Sequence, residues 1–168
     1  MNLRNIATVY IFDENRILLM HRVGSRLFNG SIWVGIGGHF EEYELNDPEA
    51  CALRELCEET GLSESDIDNL HLKYITMRMT PDEIRQQYIF TATLKNKTKQ
   101  LIKSDEGELH WIPTNELFDR KMAFSNIETL KHFFAVGKYN DSIYTGTVTE
   151  KDGALSVNFA ALKAYGRE

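Results

Sequence analysis

Residues 47–62 read DPEACALRELCEETGL and carry the start, the body and the end of one helix. Asp47 can accept hydrogen bonds from the free N–H groups of a first helical turn, and Pro48 suits the first helical position, where its missing N–H costs nothing. Gly61 suits the left-handed residue that ends a helix, so the helix is predicted from Pro48 to about Thr60. At roughly 100° per residue, Ala50, Ala52, Leu53, Leu56 and Cys57 fall on one side and Glu55, Glu58 and Glu59 on the other. Like charges three and four apart on a helix repel by a few tenths of a kcal/mol per pair, so three together need a reason. Taken alone, the helix fits a solvated charged face, with Arg54 pairing Glu58. The alternative is a hard-cation site: Mg²⁺ and Mn²⁺ take carboxylate oxygens, and a face with three Glu and no Cys or His suits them and not zinc.

The residues before the helix favour the second reading. Gly35, Gly37 and Gly38 form a cluster that lets the backbone approach a ligand and can turn a carbonyl toward a metal. Glu41, Glu42 and Glu44 follow. Further upstream, Ala7–Phe12 and Ile17–Met20 flank Asp13-Glu14-Asn15 and read as a hairpin, and Ser31–Val34 is a short strand after a loop over Gly24–Gly30. Downstream, Leu70–Arg78 and Gln87–Leu94 read as strands about the turn Thr80-Pro81-Asp82-Glu83. Glu108–Ile112 is another, entered from Asp105-Glu106-Gly107. Ser125 is predicted to cap a helix through Ala135, with Ile127, Leu130, Phe133 and Phe134 as its apolar stripe. A last hairpin pairs Ile143–Thr149 with Ala154–Phe159 about Lys151-Asp152-Gly153. The order predicts an α+β chain, a mixed α/β/α sandwich with an extra C-terminal hairpin, and not a doubly wound parallel fold. One domain is expected, with a core over 5–137 and the hairpin extension over 142–162. That hairpin either extends the sheet or pairs with a second copy, which would make a homodimer, because an isolated two-stranded ribbon is marginal.

Bulk numbers narrow the class. The 168 residues suit one domain, and 42% hydrophobic with 26% charged residues is an ordinary globular composition. A net charge of −6 argues against a nucleic-acid polymer as partner. The apolar run Ile6–Phe12 is too short for a secretory leader, and no stretch is long enough to span a bilayer, so a cytoplasmic protein is expected. Cys51 and Cys57 lie on one helix, too far apart to bridge, and read as small packing residues.

Gly38, Glu44, Arg54-Glu55-Leu56, Glu58-Glu59 and Gly61-Leu62 together resemble the Nudix box, a glycine, a glutamate, then Arg-Glu-aliphatic-x-Glu-Glu-x-Gly-aliphatic. Arg54 to Leu62 matches throughout. Two departures stand: nine residues separate Glu44 from Arg54, a longer gap than is usual, so residues 45–48 look like a lengthened loop; and Tyr43 stands where glycine is common. In order of elements the resemblance runs from about Ile6 to Leu117.

The resemblance implies a Mg²⁺- or Mn²⁺-dependent hydrolase in which water attacks a phosphorus of a nucleoside diphosphate linked to another moiety. The small-molecule nucleotide substrate it favours is a nucleoside triphosphate, one oxidised at the base included. The alternatives are ADP-ribose or another nucleotide sugar, or a dinucleoside polyphosphate, and further off a non-catalytic nucleotide-sensing module. It implies metal ligation by Glu55, Glu58, Glu59 and the Gly38 carbonyl, with Glu55 as general base. It implies a loop ordered by Glu44 and Arg54 and closed by Gly61. Residues 104–111 resemble the stretch that supplies a further carboxylate in MutT-like members, which makes Glu106 the expected extra ligand or base, with Glu108 the competitor. Arg22, at the end of the second strand, is placed to contact a phosphate through its guanidinium fork. Phe28, Trp33 and Tyr88 are candidates for stacking on a base, although aromatics at strand positions more often belong to a core. His39 reads as a surface residue, and His21, His71, His110 and His132 as structural.

Overall fold

The computed structural model describes residues 1–25 and 30–164. Its strands are β1 (Asn2–Asp13), β2 (Arg16–Ser25), β3 (Gly30–Val34), β4 (Ile67–Met79), β5 (Glu83–Leu94), β6 (Glu108–Pro113), β7 (Tyr144–Lys151) and β8 (Ala154–Ala161); its α-helices are α1 (Pro48–Thr60) and α2 (Phe124–Ala135). Among the described residues the strands join in one mixed sheet, ordered β3-β2-β1-β5-β4-β7-β8, with β6 on β2. The pairs β1–β5 and β4–β7 are parallel and the rest antiparallel.

Both faces of the sheet are covered, which is why β1 and β2 read as unbroken apolar runs rather than as alternating ones. Val9, Ile11, Leu18 and Met20 meet Ile36, Ala52 and Leu56 on the α1 side. Tyr10, Ile17, Leu19, Tyr74 and Ile89 meet Leu130 and Leu117 on the α2 side. Leu56 is fully buried, a burial that contributes about 1.5–3 kcal/mol. The result is the α/β/α sandwich expected. No helix among the described residues is long and apolar enough to cross a membrane.

β1 and β2 stay paired only near their turn, from Ile11↔Leu18 to Asp13↔Arg16. They then part: β2 takes β3 from Met20↔Val34 onward, and the glycine segment runs antiparallel along β1 through the bridges Val9↔Ile36 and Ile6↔His39. This seam feeds the chain from the sheet into α1.

Several boundaries differ from expectation. β1 begins at Asn2 because it pairs with β5 along nearly its whole length; the same pairing starts β5 at Glu83. The polar stretch before Leu70 is a short helical turn at Glu64–Asp66, after which β4 starts at Ile67. Ser125 does not cap α2: the helix begins at Phe124 after Ala123, whose carbonyl accepts from Asn126 and Ile127, and the Ser125 carbonyl accepts from the Thr129 hydroxyl. The C-terminal hairpin extends the sheet, pairing Tyr144–Thr147 with Tyr74–Met77 of β4. Cys51 is buried but Cys57 is exposed, so only the first is a packing residue.

Candidate active site

The capping of α1 follows its sequence. The Asp47 carboxylate accepts from the Ala50 N–H at 3.0 Å, and Gly61, at φ 75°, donates its N–H to the Cys57 carbonyl. The helix is turned differently from the wheel drawn on sequence. Cys51, Ala52, Glu55, Leu56, Glu59 and Thr60 are its buried residues, while Cys57 faces out. Two of the three box carboxylates therefore point inward, toward the seam beside β1, and only Glu58 is in solvent, with 60% of its side chain exposed.

Arg54 holds this end of the helix together. Its Nε and Nη2 grip the two oxygens of Glu44 at 2.7 and 2.9 Å, Nη2 also donates to the His39 carbonyl at 3.0 Å, and Nη1 meets Glu55 at 2.8 Å and Glu58 at 2.9 Å. The longer loop before α1 thus does not keep Glu44 from Arg54. Glu44 is 1% exposed, and the Arg54 guanidinium, helped by the Glu41 N–H, holds its carboxyl down at about 2 against the cost of burial. The same contact raises Arg54 still further above its ordinary range.

Glu59, 4% exposed, is fixed from two sides. The Gly37 N–H donates to Oε2 at 2.8 Å and Arg22 Nη2 donates to Oε1 at 3.0 Å. Burial pushes its carboxyl up to about 7, with the Glu55 charge adding to the rise and the Gly37 N–H and Arg22 opposing it. Arg22 also pairs with Glu106, from the turn before β6. Glu108 lies on β6 opposite His21 with its side chain 80% exposed, away from this pair.

Two glycines make the approach of helix to backbone feasible. Gly37 sits at φ 151°, where a Cβ would lie 2.1 Å from the Ala7 carbonyl oxygen. At Gly38 a Cβ would lie 2.4 Å from Glu55 Oε1, so any side chain there would displace that carboxylate. The Gly38 carbonyl accepts from the Ala7 N–H at 3.0 Å and faces the Cys51 thiol at 4.0 Å.

The expected residues are thus sorted by place. Gly38, Glu44, Arg54, Glu55, Glu58, Glu59, Arg22 and Glu106 come together at the seam, and Gly61 ends the helix that carries four of them. Trp33 does not join them. It packs on the α2 side of the sheet, stacked on His21 at 4.5 Å with the Arg120 guanidinium 5.4 Å from its ring centre. Tyr88 is on the α1 side, against Phe40 at 5.3 Å. Phe28 lies outside the described residues. Gly37 as a donor to Glu59 was not singled out from sequence; its membership of the glycine cluster was the available signal. His132 bonds the Tyr74 hydroxyl through Nδ1 at 2.9 Å, a structural contact as expected.

Among the described residues no three acidic, histidine or cysteine side chains converge on one point as ligands to a single ion. Instead five carboxylates share two guanidinium groups, Glu44, Glu55 and Glu58 on Arg54, Glu59 and Glu106 on Arg22. The donor set still fits a hard divalent cation. It is all oxygen, it comes from two separate elements onto one positive charge at Arg22, and it borders backbone stripped of side chains at Gly37 and Gly38.

A NUDIX domain model matches residues 1–133. The fold is similar to that of the mutator MutT protein of Bacillus halodurans, 25% identical over 93% of this chain and 97% of that one, with a TM-score of 0.67. It is also similar to a NUDIX hydrolase of Nitrosomonas europaea, 17% identical over 89% and 81% with a TM-score of 0.69, and to an Ap4A hydrolase of C. elegans, 17% identical over 79% and 96% with a TM-score of 0.65. With the box residues gathered at one seam and the domain match spanning most of the length, the chain belongs to the NUDIX domain family of pyrophosphohydrolases.

Proposed function

We propose that this chain hydrolyses a nucleoside diphosphate linked to another moiety, a nucleoside triphosphate first among them, using Mg²⁺ or Mn²⁺ held by Glu55, Glu58, Glu59 and the Gly38 carbonyl, with Glu106 as a further ligand. The observation that carries this reading is the inward set of Glu55 and Glu59 against the bare backbone of Gly37 and Gly38. A divalent ion bound there supplies charge neutralisation on the diphosphate and activation of water. The chain's own groups do the rest. Gly37 N–H and Arg22 orient Glu59, and Arg54 orients Glu55. Glu55 takes the proton of the attacking water, the phosphorus–oxygen bond of the anhydride breaks, and the leaving phosphate departs with the bridging oxygen. Arg22 offers its fork to a substrate phosphate. The likeness to the mutator MutT protein, at 25% identity over nearly the whole of both chains, supports a triphosphate as the first substrate to try.

The test is a hydrolysis panel of nucleoside triphosphates, ADP-ribose and dinucleoside polyphosphates with Mg²⁺, run on the wild type and on Glu59→Gln. Turnover should fall at least about 10²-fold in the variant, as for loss of a central electrostatic group. Equal turnover in both removes Glu59 from the site.

A further inference from the structure

A cleft of about 410 Å³ opens on the α2 side of the sheet, between the ends of β1 and β5, the start of β4 and the turn that leaves α2. Two bulges shape it. β4 carries one extra residue against β5 between Asp68 and His71, and another between Leu72 and Tyr74. Leu72 pairs with Phe90 and Tyr74 with Ile89, so Lys73 is the extra residue of the second bulge. Leu72 packs toward α1 and Tyr74 toward α2. Between them Lys73 lines the cleft with only 6% of its surface exposed. At the first bulge Asn69, also on the cleft, is left-handed at φ 56°. Bulges re-aim side chains and recur beside functional sites.

A buried ammonium is costly unless it is paired and hydrogen-bonded. Lys73 has three protons to donate. One goes to the Asn140 carbonyl, the Tyr144 ring stands 6.0 Å away, and among the described residues nothing takes the other two. Burial lowers the affinity of Lys73 for its proton, and Asp141, with which it forms no ion pair, opposes this by its charge alone. Thr91, opposite His71 on β5, presents a hydroxyl with no hydrogen bond among the described residues. The surface around these groups is mostly apolar, with Phe12 and Phe133 stacked at 5.3 Å. An apolar cleft of this volume with a few convergent polar groups has the make-up of a small-molecule site.

We propose that the cleft binds a small organic monoanion, a carboxylate on an apolar body, with the carboxylate on Lys73 and Thr91 and the body against Phe12 and Phe133. Charge sets the class. Among the lining residues Lys73 and Lys138 are positive and Asp141 is negative, so a single negative charge balances them, whereas a phosphate monoester would bring about two. The cleft is separate from the seam. Phe12 stands five residues beyond Ala7 on β1, roughly 17 Å along the strand. It packs on the α2 side, while Glu55 and Glu59 belong to α1 on the other face. Binding there therefore needs neither a metal ion nor the box carboxylates.

The probes are 2-naphthylacetate, its neutral amide and 2-naphthyl phosphate, each titrated calorimetrically on the full chain in EDTA. The acid should bind saturably with a Kd below about 1 mM. The amide, which cannot take a charge-assisted hydrogen bond from Lys73, should bind at least about tenfold more weakly, and the phosphate no tighter than the acid. Lys73→Met should lose the acid. So should Thr93→Trp, which fills the cleft from β5 and leaves Lys73 in place; it decides the matter if Lys73→Met does not fold. Glu59→Gln should bind the acid as the wild type does. Acid and amide bound alike, a phosphate tighter than the acid, or no saturation below about 1 mM overturns the proposal. So does acid binding that survives Thr93→Trp or is lost in Glu59→Gln. Lys73 is then a tether for the loop at Asn140.

Discussion

Arg54 and Glu44 form the contact on which the rest of the site is hung. The pair is bidentate, Glu44 is buried, and its carboxyl is held at about 2 against an ordinary 4.5. Between those values the unfolded chain binds a proton that the folded one does not, so stability rises with pH there. The contribution is complete above about pH 4.5 and is lost as pH falls toward 2. Urea midpoints measured from pH 5 to pH 2 should therefore drop more steeply in the wild type than in Glu44→Gln; equal slopes would place the acid sensitivity elsewhere. Arg54→Met strands the buried Glu44 carboxylate and should cost about 3 kcal/mol at pH 7 by the same denaturation. The residues of this pair could be read from sequence because the box spacing marks them. The burial of Glu59 could not. A helical wheel gives the spacing of side chains but not which arc faces the sheet, and here the arc is set by glycines that admit carboxylates where apolar residues were expected.

The glycine segment and the C-terminal hairpin are the elements whose roles differ most. The segment is both a strand beside β1 and a wall of the site. Gly37→Ala should destabilise by more than about 2 kcal/mol, since the left-handed backbone and the Ala7 carbonyl both oppose a Cβ; a thermal melt within a degree or two of the wild type would contradict this. The hairpin is tied to α2 by an aromatic group. Tyr74 stacks with Tyr144 at 5.6 Å, and His132 meets Phe159 at 4.4 Å. Phe159→Ala should cost about 2 kcal/mol, less than the 3–5 typical of a fully buried Phe, and should leave kcat unchanged because Phe159 touches no box residue. A fall in kcat would mean that the hairpin reaches the site. Both strands and their turn were readable from alternation and Asp152-Gly153. Their attachment to β4 in parallel was not, because nothing local in Tyr144–Thr147 names a distant partner.

For the molecule as a whole, function sits where the sheet parts. β1 turns to the glycine segment and β2 to β3, and the opening brings α1, the turn before β6 and the end of β2 to one place. The sandwich class and most element identities followed from period and turn residues. The partition of aromatics between the faces did not: Trp33 lies across the sheet from Arg22, a consequence of strand alternation about β2 that the flanking loop obscures in sequence. Glu106 meets Arg22 at the seam because β6 pairs with β2 in a register that ends at His21↔Glu108. The most direct measurement is a Mn²⁺ titration followed by the electron paramagnetic resonance signal of the free ion, on wild type and Glu59→Gln. The wild type should deplete that signal saturably, and the variant should bind at least about tenfold more weakly. Superimposable titrations, or none that saturates in the wild type, would contradict a cation site built on the inward carboxylates of α1.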